Sequence, residues 1–246
     1  MLRIPERGYS AAMPESYTPL RGRAQAVTVV FVIMAVVCGV AVVSDWLEWQ
    51  LMDRIIAGEE VTDAEATAND NRQGAIGLVQ LALTIAAAVV FIRWLHAAYR
   101  NLEVVAPAEK RYSPGWAIGS WFVPIMNLFR PKQMVNDVWR AGGGDSDDAK
   151  PGLLLLGWWL LWLTSSFMVN VAGRSYMNAD TPEELRTGTI LYFFGDAMQA
   201  ISAVLAILVV RRGTERLDAR AAAAPPPSAP PEPDFASPER PAGAPA

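Results

Sequence analysis

Four uninterrupted apolar stretches, each about as long as a bilayer is thick, limit what this chain can fold into. They cover residues 24–44, 74–92, 152–173 and 187–210. A spanning helix needs roughly 20 mainly apolar residues, and the hydrocarbon core offers the backbone no hydrogen-bond partners, so such segments must be helical. The sequence therefore predicts an all-α, polytopic membrane helical bundle with spans at about residues 24–46, 74–95, 152–173 and 187–210.

Basic residues are unevenly divided among the segments that connect these stretches. Arginines precede the first stretch, recur after the second and follow the fourth. The loop after the first stretch, to which we assign Asp45 and Glu48, is instead rich in acidic residues. Because Lys and Arg prefer cytoplasmic loops close to the membrane, we expect a multi-pass protein of the cell membrane with both termini in the cytoplasm.

A fifth apolar stretch, residues 115–129, is too short to cross the membrane. At about 1.5 Å per residue it reaches only about 22 Å, and Pro124 interrupts it. Met134, Val135, Val138 and Trp139 then recur on one helical face. We expect residues 114–140 to form a proline-broken re-entrant or interfacial helix on the cytoplasmic side. Its amphipathic part either lies on the inner membrane surface or packs on the base of the bundle, and the pattern fits both equally.

The two ends of the chain have the composition of unfolded segments. From residue 221 onward Ala and Pro dominate, and such a segment buries too little apolar area to fold. The N-terminal segment has a similar character. The predicted organisation is a disordered cytoplasmic N-terminus over residues 1–23, a membrane domain over residues 24–212 and a disordered cytoplasmic tail over residues 213–246.

Asp196 is the only charged residue within the four apolar stretches. A charged side chain at the centre of a span costs about 2.5–3.5 kcal/mol on insertion scales. At comparable depth, Gln80, Thr84 and Ser165 are its predicted neighbours in an intramembrane polar site. Asp196 either binds a cation or relays protons, or it is a hydrogen-bonded carboxyl that fixes helix packing. The packing role is favoured, because the four apolar stretches contain no second acid or base.

A basic stripe continues the second stretch on the cytoplasmic side. Helical spacing places Arg93, His96 and Arg100 on one face, with Trp94 and Leu95 around the other side. Such a stripe suits anionic lipid headgroups, and the same residues also serve as ordinary membrane anchors. His96 is the only histidine and has no nearby cysteine, so we expect no metal site, and we expect no cofactor.

One region resembles a known family. The motifs are RWLHxAYRNL at 93–102, RYSPGWAxGxWFVPIxNLFRP at 111–131 and VWR at 138–140. They are similar to those of bacterial integral membrane proteins of the family called domain of unknown function 4328. The resemblance implies no activity, but it draws attention to this cytoplasmic region as a ligand or partner site, whose further candidate residues are Arg111, Trp116, Trp121, Asn127 and Arg130.

Functional motifs of enzymes are missing from the sequence, which contains no phosphate-binding glycine loop, nucleophile elbow or zinc-protease motif. The net charge of -4 is too small to indicate a nucleic-acid partner. We therefore expect a non-enzymatic adaptor or accessory subunit, acting through its cytoplasmic face. Its expected partners are the bilayer, anionic lipid headgroups or another membrane protein. The alternative is a small transporter or ion-coupled carrier that uses Asp196; a lipid-modifying enzyme is a weaker third option, because His96 lacks an evident acidic partner.

Overall fold

The computed structural model describes residues 17–143 and 151–223, and these ranges fold into helices joined by short connections. The helices are α1 (Arg21–Ile56), α2 (Asp63–Val105), α3 (Trp116–Gly119), α4 (Pro124–Asn127), α5 (Arg130–Gly143), α6 (Leu153–Met177) and α7 (Pro182–Ala223). A 3-10 turn at Pro107–Glu109 follows α2. Four helices, α1, α2, α6 and α7, are long and apolar enough to cross a membrane. The prediction of an all-α, four-span bundle is therefore confirmed.

The four long helices run up and down, with α7 at the centre. Helix α7 packs along both α1 and α6, while α2 packs mainly on α1. We call the end that carries the α1–α2 and α6–α7 connections the loop end, and the opposite end, where α5 lies, the α5 end. At the loop end the chain turns at Gly58, whose positive φ of 76° favours glycine. A capping box between Thr62 and Glu65 then starts α2.

The region between α2 and α6 is broken into short helices, as its prolines predict. Helix α4 begins at Pro124, which occupies the first helical turn, where its missing N–H costs nothing. The face of α5 formed by Met134, Val135, Val138 and Trp139 is buried against α7 and α2. Helix α5 thus packs on the base of the bundle, which is one of the two alternatives that the amphipathic pattern left open.

The structure differs from the predicted boundaries at both ends. Helix α7 continues past residue 212 to Ala223, because Thr214, Leu217, Asp218 and Ala221 repeat at helical spacing and are buried. Residues 17–23 are also ordered: Tyr17 and Leu20 are buried, and α1 begins at Arg21. The remaining parts of the predicted disordered termini, residues 1–16 and 224–246, lie outside the described residues.

Candidate functional site

A partly open cavity of about 560 Å³ lies between the long helices toward the loop end. Four carboxyl-bearing residues line it, namely Asp45, Glu48, Asp70 and Asp196. Its other polar lining residues are Gln73, Gln80, Tyr176 and Tyr192. Among the described residues, no Lys, Arg or His lines it. We call this space the acidic cavity, because its lining has an excess of negative charge.

Glu48 is a buried carboxylate that joins all four long helices. From α2 it accepts hydrogen bonds from Asn69 Nδ2 at 3.3 Å and Gln73 Nε2 at 2.6 Å. From α6 the Tyr176 hydroxyl donates at 2.7 Å, and from α7 the Thr189 hydroxyl donates at 3.2 Å. Hydrogen bonds from several helices compensate for burying the charge. Glu48 is therefore a structural acceptor at the loop end of the cavity.

Asp196 and Asp45 form the deeper part of the acidic cavity. Gln80 Nε2 donates a hydrogen bond to Asp196 Oδ1 at 2.8 Å, so the predicted contact between these two residues is present. Asp45 lies on α1, and its carboxyl group lines the same cavity as the Asp196 carboxyl. Two carboxyl groups that share one cavity repel each other when both are charged, and a proton or cation between them relieves this repulsion.

One carboxyl oxygen of Asp45 is left without a donor. Gln73 Nε2 approaches Asp45 Oδ1 at 3.3 Å, but Oδ2 is buried and has no hydrogen-bond partner among the described residues. Asp45 is only 5% exposed and lines the acidic cavity. A buried acceptor without a donor costs free energy. This oxygen is therefore available to accept a hydrogen bond, either from a protonated carboxyl group or from a ligand in the cavity.

The charged side chain of Arg72 forms its hydrogen bonds with groups other than these carboxyl groups. Arg72 donates to Ser44 Oγ at 2.9 Å and to Asn69 Oδ1 at 2.5 Å. The described residues contain no cluster of three His, Cys, Asp or Glu side chains arranged to hold a metal ion. The cavity can therefore offer carboxylate and amide oxygens to a small cation, with hydrogen bonding rather than a closed metal coordination shell.

Two residues predicted near Asp196 lie outside the acidic cavity. The Thr84 hydroxyl donates to Gln80 O within its own helix, and Ser165 donates to Gln199 Oε1 at 2.7 Å. Counting residues into a span gives depth but not direction around the helix axis, and both side chains turn away from Asp196. Thr84 instead lines an apolar cavity of about 150 Å³, together with Phe91 and Trp158.

Sequence reasoning missed Asp45 and Glu48 because it placed both in the loop. Helix α1 continues to Ile56, so these residues extend the buried face that already contains Cys38 and Ala41. The spacing 38, 41, 45 and 48 matches the helical repeat. This periodicity could have shown that the buried face of α1 continues through Asp45 and Glu48. The fall in hydropathy at Asp45 instead marked that residue as the start of a loop.

At the α5 end, Arg93, His96 and Arg100 line one side of a second cavity, of about 160 Å³. Arg23 and Thr18 complete it from the N-terminal segment. We call the four basic residues, Arg23, Arg93, His96 and Arg100, the arginine groove. The structure thus places the three predicted residues of the basic stripe together and adds Arg23, which sequence spacing does not connect to them.

Arg111 has a partner within the protein. Its Nε donates to Asp137 Oδ1 at 2.9 Å, and the Tyr99 hydroxyl donates to Asp137 Oδ2 at 3.1 Å. Burial raises the pKa of the Asp137 carboxyl, and Arg111 opposes that rise. Asp137 in turn raises the pKa of Arg111. Asp137 is fully buried, whereas the amphipathic pattern put it on the polar face of α5.

Arg130 and Trp116 belong to an aromatic sandwich. The Arg130 guanidinium lies 4.6 Å from the centre of the Tyr112 ring and 4.4 Å from that of Trp116. Cation–π contacts of this kind hold α3 against the start of α5. These two residues therefore stabilise the connection between α2 and α5 and lie apart from the arginine groove.

Trp121 and Asn127 are the remaining predicted residues of this region. Trp121 packs edge-on against Phe91 and Trp162, with ring centres 6.0 and 5.6 Å away. Its Nε1 and Asn127 Oδ1 are buried without hydrogen-bond partners among the described residues. Neither residue joins the arginine groove.

Comparison with known proteins adds one match. A family model described as Domain of unknown function (DUF4328) matches residues 57–215. This range contains Gln80, Asp196 and the region from Arg93 to Arg140, while Asp45 and Glu48 lie before it. No curated protein and no solved structure matches the chain.

Proposed function

The chain belongs to this DUF4328 family, whose description names no activity, and we propose that it is a carrier that exchanges a small cation for a proton in the acidic cavity. One observation carries the proposal: Asp45 and Asp196 line the same cavity, and the buried Asp45 Oδ2 has no hydrogen-bond partner among the described residues. Ionisable groups within spans are functional-site candidates by default.

Charge balance supports an exchange rather than simple binding. With the cavity empty, a single proton shared by the two carboxyl groups relieves their repulsion. A cation with one positive charge does the same when it enters. The incoming cation therefore displaces one proton, and the net charge of the site stays constant. A constant charge avoids the additional cost of moving an unbalanced charge into a low-dielectric region.

The chemistry of the lining favours a protonated primary amine as the cation. An ammonium group has three N–H donors and no acceptor, and it matches the Asp45, Asp196 and Gln80 oxygens. The Tyr176 and Tyr192 rings line the cavity and meet edge-on at 6.3 Å, and they offer aromatic surface to a cation. A divalent metal ion fits less well, because no three-ligand cluster is present among the described residues.

The orientation is part of the proposal. Arg23, Arg93 and Arg100 lie at the α5 end, and the charge rule puts such residues in the cytoplasm. Both termini are then cytoplasmic, and the acidic cavity is entered from the outer face. Binding to this cavity is the first step of transport, and the first test measures it.

The experiment measures proton release from purified protein in lipid nanodiscs under weak buffering. Methylammonium, putrescine, Na⁺ and K⁺ are added one at a time, with calorimetry as a second readout. We expect about one proton released per methylammonium bound. Truncating one partner of a buried charge pair costs about 2 kcal/mol or more, so Asp45→Asn and Asp196→Asn should each weaken binding at least about 30-fold.

A matched control separates the site from the general surface charge. Asp180 is exposed in the α6–α7 connection, and Asp180→Asn removes the same charge outside the cavity. We expect it to bind the amine as the unchanged protein does. Absence of both binding and proton release for all four cations, or equal weakening by Asp180→Asn, would overturn the proposal.

The adaptor role is the second candidate, and it stays a prediction. Its support is the exposed apolar surface at the α5 end, where Phe122 and Ile125 are 76% and 74% exposed. Arg111, Trp116 and Arg130 support it less, since their side chains contact other parts of the same chain. Affinity purification from native membranes in nanodiscs tests this role: a stoichiometric membrane protein, cross-linked through the α5 end, would favour the adaptor.

A further inference from the structure

No carboxylate offsets the positive charge of the arginine groove among its described lining residues. Its cavity of about 160 Å³ is lined by three arginines and the one histidine, without a carboxylate among the described lining residues. Arg23 donates only to Pro19 O, at 3.3 Å. Arg93, His96 and Arg100 have no hydrogen bond or ion pair from their side chains within the described part of the chain.

Several other arginines of the described chain form ion pairs with carboxylates, whereas the arginines of the groove form none. Arg111 pairs with Asp137, Arg186 with Asp53, and Arg54 with Glu59 and Glu65. Like charges around one small space repel each other, and an anion bound between them relieves that repulsion. The groove therefore suits an anion with several acceptor oxygens, which the arginine fork binds well.

The groove is constructed by segments distant in sequence. Thr18 and Asn101 exchange two hydrogen bonds: Thr18 N donates to Asn101 Oδ1 at 2.9 Å, and Asn101 Nδ2 donates to Thr18 O at 2.8 Å. These bonds hold residues 17–20 against α2 and bring Arg23 alongside Arg93 and Arg100. The backbone positions of the basic residues are thus set before any ligand arrives.

An apolar surface begins where the groove ends. Ile118 lines the groove and is 44% exposed. Beyond it, Phe122, Ile125 and Phe129 are each more than half exposed. In a protein with four membrane-spanning helices, such a surface next to cationic residues suits a lipid, with acyl chains along the apolar side chains and the phosphate at the arginines.

We propose that the arginine groove binds the phosphate of one anionic phospholipid of the adjacent leaflet, whose acyl chains lie along Ile118, Phe122 and Ile125. The charge of the groove selects an anionic over a zwitterionic headgroup. The apolar side chains select a lipid over free phosphate. This site is separate from the acidic cavity, at the opposite end of the bundle, and does not depend on cation exchange.

The test is native mass spectrometry of the full chain released from nanodiscs. Phosphatidylglycerol and phosphatidylcholine with identical acyl chains are compared, and inorganic phosphate and glycerol phosphate are added as soluble competitors. We expect one phosphatidylglycerol retained per chain and no retention of phosphatidylcholine. Each cationic residue near the membrane surface contributes about 5-fold, so the double variant Arg93→Gln/Arg100→Gln should lose lipid about 30-fold.

Arg211 and Arg212 provide the control, because both are exposed on α7 at the same end. The double variant Arg211→Gln/Arg212→Gln makes the same charge change and should retain the lipid. If both double variants lost the lipid equally, the general positive charge at the α5 end would explain the binding, and the proposed site would be overturned. Displacement of the lipid by free phosphate, or a stoichiometric protein cross-linked to Phe122 and Ile125, would overturn the choice of ligand. If a variant fails to fold, the absence of any preference of the unsubstituted protein for phosphatidylglycerol would still overturn the proposal.

Discussion

The Tyr176 hydroxyl on α6 donates a 2.7 Å hydrogen bond to Glu48 Oε1 on α1, although α1 and α6 do not pack directly against each other. Helix α7 lies between α1 and α6 as their shared packing partner. The bond therefore links α1 directly to α6 at the loop end. It also sets one wall of the acidic cavity, which both residues line.

The first prediction concerns this bond. Tyr176→Phe should lower the free energy of unfolding by about 1.5–3 kcal/mol, because a hydrogen bond to a charged acceptor is lost. Glu48→Ala should cost more, about 3 kcal/mol or above, since donors on three helices then lack an acceptor. Reversible unfolding in mixed micelles measures both. Glu60→Ala, at an exposed carboxylate in the α1–α2 connection, should change stability by less than about 0.5 kcal/mol.

A double-mutant cycle tests whether the two residues act together. Tyr176→Phe and Glu48→Ala each lower the free energy of unfolding. The sum of these two losses should exceed the loss measured for the double variant, because both substitutions remove the same bond. Strict additivity would contradict a direct interaction between them.

The second prediction is a pH dependence at Asp137. Its pKa is raised by burial, so the folded chain binds the proton more readily than the unfolded chain does. The free energy of unfolding therefore falls as the pH rises from the unfolded value of about 3.9 through the folded pKa. Arg111→Gln removes the group that opposes the rise in pKa, so this fall should become larger and extend to higher pH.

Thermal unfolding at a series of pH values measures the effect. Arg140→Gln is the matched control, because Arg140 lies 3.7 Å from the same Asp137 oxygen that Arg111 approaches at 2.7 Å. The control should change the pH profile less than Arg111→Gln does. A profile unaffected by Arg111→Gln would mean that Asp137 is neutral in the unchanged protein.

The third prediction concerns the close contact between α5 and α7 at Gly142. A Cβ atom added there would lie 2.7 Å from Arg216 Cβ and 3.2 Å from the backbone of Arg216. Gly142→Ala should therefore push the helices apart and destabilise the protein by about 1–3 kcal/mol. Gly39→Ala in α1 meets nothing within 4 Å and should stabilise by up to about 1 kcal/mol. The difference in thermal midpoint between the two variants checks the contact.

The fourth prediction tests the ordered N-terminal segment. The Tyr17 hydroxyl donates a 2.6 Å hydrogen bond to Asp218 Oδ1 on α7, and burial raises the pKa of Tyr17. Tyr17→Phe should raise the rate of amide hydrogen exchange at residues 17–20 while leaving the rest of the bundle unchanged. Phe retains the apolar contacts, so global unfolding serves as the internal control. Unchanged exchange would show that the packing of Leu20 and the Thr18–Asn101 hydrogen bonds hold the segment without the Tyr17 hydroxyl.

The four spans could be predicted from sequence because hydropathy over about 20 residues depends little on tertiary contacts. Depth matching also found Gln80 for Asp196. It failed for Thr84 and Ser165, since the direction around each helix axis depends on how the helices pack. Residues 17–20 gave no local signal, because their order comes from contacts with Asn101 and Asp218, distant in sequence.

The bonds of Glu48 also bear on how the chain enters a membrane during synthesis. Asn69 and Gln73, both on α2, are two of its donors, and only residues 57–62 separate α1 from α2. The two helices can thus insert as a hairpin whose polar side chains already bond to each other. Asp196 emerges last, when Gln80 is already in the bilayer to receive it. The order of translation therefore lets each buried acid meet a donor as it arrives.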